Sequence, residues 1–166
     1  MTSKDVQSAF IKTYLKPLLK QYNYLVNGQT WWKERDEFYT IINLQNFSWN
    51  HKDEVSFCFN IGIALKATVK NTQKVSYADL TVQTREGNYL PDDRNIHLYR
   101  NTTGYAIKQN TELTLFTEEL KIDFEQYILP ALEQLNTLNN CLSYYVQMPF
   151  WGDHLKNKIT ELALKV

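Results

Sequence analysis

Residues 55–65 alternate without a break. Val55, Phe57, Phe59, Ile61, Ile63 and Leu65 point to one side of a strand, and Ser56, Cys58, Asn60, Gly62 and Ala64 to the other. One face is large and apolar; the other is small and partly polar. Upstream, Val6, Phe10, Tyr14, Leu18 and Tyr22 recur every fourth residue, which predicts a helix. Ser3 is its expected cap, and Pro17 is expected to kink it. Asn23 suits the left-handed residue that ends many helices. The period then shifts to two. Asn27-Gly28 predicts a hairpin with a type I′ turn, and Asp36-Glu37 the tip of a second one. The strand of residues 38–49 follows, and a polar loop leads into 55–65.

Residues 66–94 are more polar, with one strand predicted around residues 80–83, a turn at 86–88 and a loop at 91–93. Asn95 to Arg100 alternates as a strand and is expected to pair with Tyr105 to Lys108. Helices complete the chain. Thr117 is the expected cap of a stripe formed by Leu120, Phe124, Ile128, Leu132 and Leu135, interrupted by Pro130. A short helix over 139–146 and a last one capped by Asp153 come after it. No repeat or linker divides the chain, so residues 1–166 are read as a single domain. The expected fold class is α+β: an antiparallel meander of about five to six strands, with an N-terminal helix and C-terminal helices packed mainly on one face.

The hairpin register assigns the faces. A two-residue turn at Asp36-Glu37 sets Lys33 opposite Thr40 and Trp31 opposite Ile42, and opposed residues share a face. Trp31, Phe38, Ile42 and Leu44 therefore join the large face of 55–65 as the helix-covered core. The second face carries Trp32, Tyr39, Ile41, Asn43, Gln45, Phe47 and Trp49, with Ser56, Cys58, Asn60 and Gly62 beside them. It sets amides and aromatic rings around a floor of small residues, and glycine inside a strand often marks close approach by a ligand or a backbone. Trp32, Asn43, Gln45, Asn60 and Gly62 are the candidate binding residues there. The competing reading is that the last helix or the 66–94 segment covers this face.

Composition narrows the function classes. Formal net charge is zero, with 18 basic and 18 acidic residues, whereas a duplex-binding domain carries a basic excess to displace counterions. Nucleic acid is not expected as a partner. Apolar runs are too short to span a bilayer, and the N-terminus is polar where a signal peptide would be apolar, so no membrane partner and a cytoplasmic location are expected. The two cysteines, Cys58 and Cys141, stand in no metal-binding spacing. No nucleophile elbow, phosphate loop or zinc motif is present, so no catalytic residue, metal or cofactor is assigned. His97 and Arg100 are the remaining candidates. His97 is out of phase with Ile96 and Leu98, and Arg100 ends the same predicted strand. An arginine near Asn43, Gln45 and Asn60 would hold a carboxylate or phosphate through two hydrogen bonds.

Several of these segments, in order, resemble one family. Leu15-Lys16-Pro17-Leu18-Leu19-Lys20, Asn23-Tyr24 and Gln29-Thr30-Trp31 look like its opening, L-K-P-x-L-K-x-x-G-F followed by a g-x-T-F-x-R strand. Ile42-Asn43-Leu44-Gln45 with Ser48, Phe59-Asn60-Ile61-Gly62-Ile63, His97-Leu98-Tyr99-Arg100 and Ile128-Leu129-Pro130 look like later elements of it. The family is the bacterial domain of unknown function 4304, and the resemblance covers most of the chain. Asn23 stands where the family prefers glycine, and a tryptophan expected after Arg100 is absent. The resemblance implies the fold and a bacterial source, and supplies no catalytic residue.

The balance is against an enzyme. The first expectation is a recognition domain that binds a protein or small molecule through the second face, because aromatic side chains favour interfaces. A ligand pocket or unrecognised enzyme, with Arg100 and His97 near Asn60, is the alternative. An immunity-type inhibitor of a toxin and a homo-oligomer pairing through these faces are further readings.

Overall fold

The computed structural model describes residues 1–166. The N-terminal helix runs as α1 (Ser3–Phe10), a π turn (Ile11–Leu15) and α2 (Lys16–Gln21). Thr2, not Ser3, caps it: Thr2 Oγ1 accepts the Asp5 N–H at 3.1 Å, and Asp5 returns a bond to the Thr2 N–H. Pro17 does not break the helix. A π turn leaves a carbonyl without a donor, and proline is the residue with no N–H to give. The same device recurs later, where a π turn over Asp123–Ile128 precedes Pro130. Asn23 ends the helix with φ 66°.

Six antiparallel strands follow: β1 (Leu25–Asn27), β2 (Thr30–Glu34), β3 (Phe38–Asn46), β4 (Glu54–Leu65), β5 (Val82–Arg85) and β6 (Tyr105–Lys108). Their order is β1-β2-β3-β4-β5, with β6 also on β4. The register of β2 and β3 places Trp31 opposite Ile42 and Lys33 opposite Thr40, as the two-residue turn requires. The first hairpin differs from expectation. Asn27 pairs with Thr30, so Gly28-Gln29 is the loop, and only Gly28 has positive φ. That is the type II′ pattern, with glycine first.

Residues 95–100 are not a strand. Asp92–Ile96 forms a 3-10 stretch and Arg100 makes a lone bridge to Tyr105, whose strand pairs with β4 instead. Alternation misleads here because its sense is inverted: Ile96 and Leu98 are 82% and 84% exposed, while His97 turns inward.

Helices α3 (Leu113–Ile122), α4 (Leu129–Glu133), α5 (Leu138–Tyr145) and α6 (Pro149–Glu161) complete the fold. Thr117 and Asp153 lie inside α3 and α6 rather than capping them. In α3, Phe116 carries the buried stripe one turn earlier than expected; in α6, Pro149 suits the first helical position. Phe10, Leu15, Phe116, Leu120, Phe124, Leu132, Leu155 and Ile159 pack with Trp31, Ile42, Phe57, Phe59 and Ile61 in a core of 35 buried residues. The helices therefore cover the large face, and Glu133 of α4 binds both Lys33 and Arg35 of the second hairpin. The second face holds a core of only five buried residues, so most of the fold's stability lies under the helices.

Candidate functional site

The second face divides into a covered half and an open half. In the covered half Trp32, Tyr39, Ile41 and Ala64 are sealed by Val75, with Val69 and Leu80 against them, so the segment between β4 and β5 forms the lid. Gly62 lies beneath it, where a Cβ would overlap the Val82 carbonyl and touch Leu80. Glycine is needed there for backbone approach, and no space for a ligand is left.

In the open half the amides meet. Asn60 Nδ2 donates to Asn43 Oδ1 at 3.1 Å and to Gln45 Oε1 at 2.9 Å. Asn43 Nδ2 donates to Thr30 Oγ1 at 2.9 Å, and Asn60 Oδ1 is buried with no donor. This row ends at an aromatic stack. The rings of Phe47 and Trp49 lie 4.6 Å apart and 4° from parallel, with Trp49 59% exposed. Arg85 pairs in register with Asn60, and its guanidinium sits 5.8 Å from the Phe47 ring.

Arg100 lies at the adjoining edge of β4 and makes no hydrogen bond to the amide row. There β5 pairs with residues 60–63 and β6 with 54–57, which leaves Cys58 and Phe59 without a strand. The fully buried carboxylate of Glu86 fills the gap. Its Oε2 accepts the Phe59 N–H at 3.2 Å, and its Oε1 is 2.8 Å from Arg100 Nη1. Arg100 Nη2 donates to Asn95, the guanidinium lies 4.5 Å from the Tyr105 ring, and its buried Nε has no acceptor. Burial raises the Glu86 pKa, against the opposing pull of Arg100. A polar cleft of about 370 Å³, lined by Arg85, Asn88, Arg100 and Thr103 among others, opens beside this pair with no apolar side chain in its wall.

His97 belongs to a separate network around Asp123. Its Nε2 is 2.9 Å from Asp123 Oδ2, and its Nδ1 accepts the Tyr99 N–H. Arg94 Nε binds Asp123 Oδ1 at 2.7 Å, and the Tyr105 hydroxyl donates to Oδ2 at 2.8 Å. Burial opposes ionisation of Asp123, but the bonds from His97, Arg94 and Tyr105 outweigh it and hold the pKa below the ordinary aspartate value. With both ring nitrogens engaged, His97 has no free nitrogen to act as a base. Burial, with the nearby Glu86 charge, pushes the Cys58 thiol up to about 11, which disfavours the nucleophilic thiolate. No group of three or more His, Cys, Asp or Glu side chains is placed to hold a metal ion.

The structure thus brings together Asn43, Gln45 and Asn60, buries Trp32 and Gly62 under the lid, and commits His97 and Arg100 to internal partners. Sequence reasoning missed Arg85, Glu86 and Asp123. For Asp123 a signal existed: it falls on the buried stripe between Leu120 and Phe124. For Glu86 there was none, because its role depends on two strands sharing one edge.

No curated protein and no solved structure matches the chain. The profile of one family, described as Domain of unknown function (DUF4304), matches residues 15–134. That span runs from the π turn before Pro17 to the end of α4, and includes the whole sheet, the amide row, the Glu86–Arg100 pair and the Asp123 network. This chain belongs to the DUF4304 family.

Proposed function

We propose that the protein is a non-enzymatic recognition domain that binds a partner protein through the open half of its second sheet face. The observation that carries this reading is the exposed Phe47–Trp49 stack beside the Arg85 guanidinium. Tryptophan and arginine are the side chains that most often dominate binding energy, tryptophan through the large rigid area it buries and arginine through its planar fork of donors and its stacking on rings. The amide row behind them supplies polar groups that fix orientation, through exposed Gln45 above all. Commitment of His97 and Arg100 to Asp123 and Glu86 counts against a catalytic pocket over Asn60.

The test is a paired capture experiment. Immobilised wild-type protein and a Trp49→Ala/Arg85→Ala variant are exposed to extract of the source cells, and bound proteins are quantified by mass spectrometry. A partner enriched by wild type and reduced about tenfold or more with the variant is expected. Equal capture by both proteins overturns the reading. A toxin as the captured partner would make the domain an immunity-type inhibitor.

A further inference from the structure

The opposite edge of the sheet carries a second surface. A groove of about 840 Å³ runs around β1, lined by Lys12, Lys16 and Lys20 on one side and by Leu25, Val26 and Trp31 along its floor. The three lysines lie four residues apart and all are exposed. None has an acidic partner, and no acidic side chain lines the groove. Leu25 and Val26 are 62% and 47% exposed, unusual for the apolar residues of a strand.

β1 is also an open edge, and its free backbone groups can be placed. Arg35 N donates to Phe38 O at the second hairpin turn, which starts the alternation that points the Trp31 N–H and C=O at Ile42 on β3. Val26, opposite Trp31, therefore turns its own N–H and C=O away from β2, toward the groove. Natural edges are protected by short length, lysines, bulges or a covering element. β1 has only three residues and lysines beside it, which discourage a neutral strand or a second copy but would attract an acidic one. Trp31, at the floor, has a buried indole N–H without an acceptor.

We propose that this groove docks an acidic, extended segment of a partner protein, which adds to β1 as a further strand. Backbone bonds to Val26 supply the pairing. Alternate acidic side chains fall on the helix side, near Lys12, Lys16 and Lys20, and the residues between them fall on the Leu25 side. A second copy of this chain is disfavoured as occupant, because pairing β1 with β1 would bring two lysine rows together. The site is independent of the Trp49 surface.

The test uses a fluorescein-labelled eight-residue peptide alternating glutamate and valine, followed by anisotropy, with a lysine–valine peptide as its control. Saturable binding of the acidic peptide alone is expected, weakened about tenfold or more by Lys12→Glu/Lys16→Glu and by Val26→Pro, and unchanged by Trp49→Ala. Val26→Pro removes an N–H that the ladder does not use, so folding should survive; circular dichroism checks this, and the lysine variant decides alone if it does not. Absence of binding, equal binding of both peptides, or indifference to Val26→Pro in a folded variant overturns the proposal. So does a dimer in light scattering that Val26→Pro dissociates, or binding to phosphatidylserine vesicles without binding to the peptide.

Discussion

Glu86 takes the place of a strand on the edge of β4, and Arg100 holds it there at 2.8 Å. The carboxylate answers the Phe59 N–H in a stretch where β5 has ended and β6 has not begun. Both side chains are over nine-tenths buried, so removing one partner strands the other charge in a low-dielectric site. Arg100→Met should cost about 3–5 kcal/mol in urea unfolding. Glu86→Gln keeps an acceptor for Phe59 and removes a charge that burial disfavours, so it should cost less than Arg100→Met. The double variant should recover much of the loss. Single effects that add to within about 0.5 kcal/mol would mean that the pair is not coupled.

Asp123 and Glu86 should leave opposite marks on stability against pH. The folded-state pKa of Asp123 is lowered, so the native state holds its proton less tightly than the unfolded chain. Its contribution is present above the ordinary value of about 3.9 and is lost as pH falls through the folded value. For Glu86 the folded pKa is raised, so the native state is favoured at low pH and loses that advantage as pH rises from about 4.3 through the folded value. Melting temperatures from pH 2 to 7 should show a shallower acid decline for Asp123→Asn than for wild type. Parallel profiles would place the acid-sensitive group elsewhere.

How much was legible varied with how local the cause was. The register of β2 to β4 follows from a two-residue turn and an unbroken alternation, both contained in about 35 residues of sequence, and Trp31 opposite Ile42 came out of it. The amide row follows from the same register. Its neighbours do not, because Trp32 and Gly62 are covered by a polar segment whose only packing signals are Val69, Val75 and Leu80. The alternation of Ile96 and Leu98 puts His97 on the open side of a strand, yet a carboxylate on a helix 26 residues away decides where it points. Long-range polar pairing of this kind has no period to detect.

Gly62 and Gly28 separate two reasons for glycine. At Gly28 a Cβ would meet nothing within 4 Å, and only the positive φ of 60° resists substitution. Gly28→Ala should cost about 1–3 kcal/mol, because the first position of a type II′ turn suits glycine. At Gly62 a Cβ would overlap the Val82 carbonyl, so β5 or the lid must move. Gly62→Ala should be the more damaging by about 2 kcal/mol or more, with β5 and Leu80 losing protection first in hydrogen exchange. Equal melting temperatures for the two variants would show that the close approach at Gly62 carries no constraint.

Trp32 and Trp49 share the second face but differ in burial, 3% against 59% exposed. Trp32 packs against Tyr39, Ile41, Ala64 and Val75, so truncation opens a cavity in the smaller core and should cost about 3–5 kcal/mol. Trp49 is mostly exposed and stacks on the Phe47 ring, and an aromatic pair contributes about 0.5–1.5 kcal/mol beyond its area. Trp49→Ala should therefore lower stability by about 1 kcal/mol in urea unfolding, while Trp32→Ala should shift the midpoint several times further. The comparison bears directly on function. A tryptophan that contributes little to folding but stays stacked and exposed is free to act on a partner. If Trp49→Ala proves as costly as Trp32→Ala, the stack is a packing element and the recognition surface must be sought elsewhere.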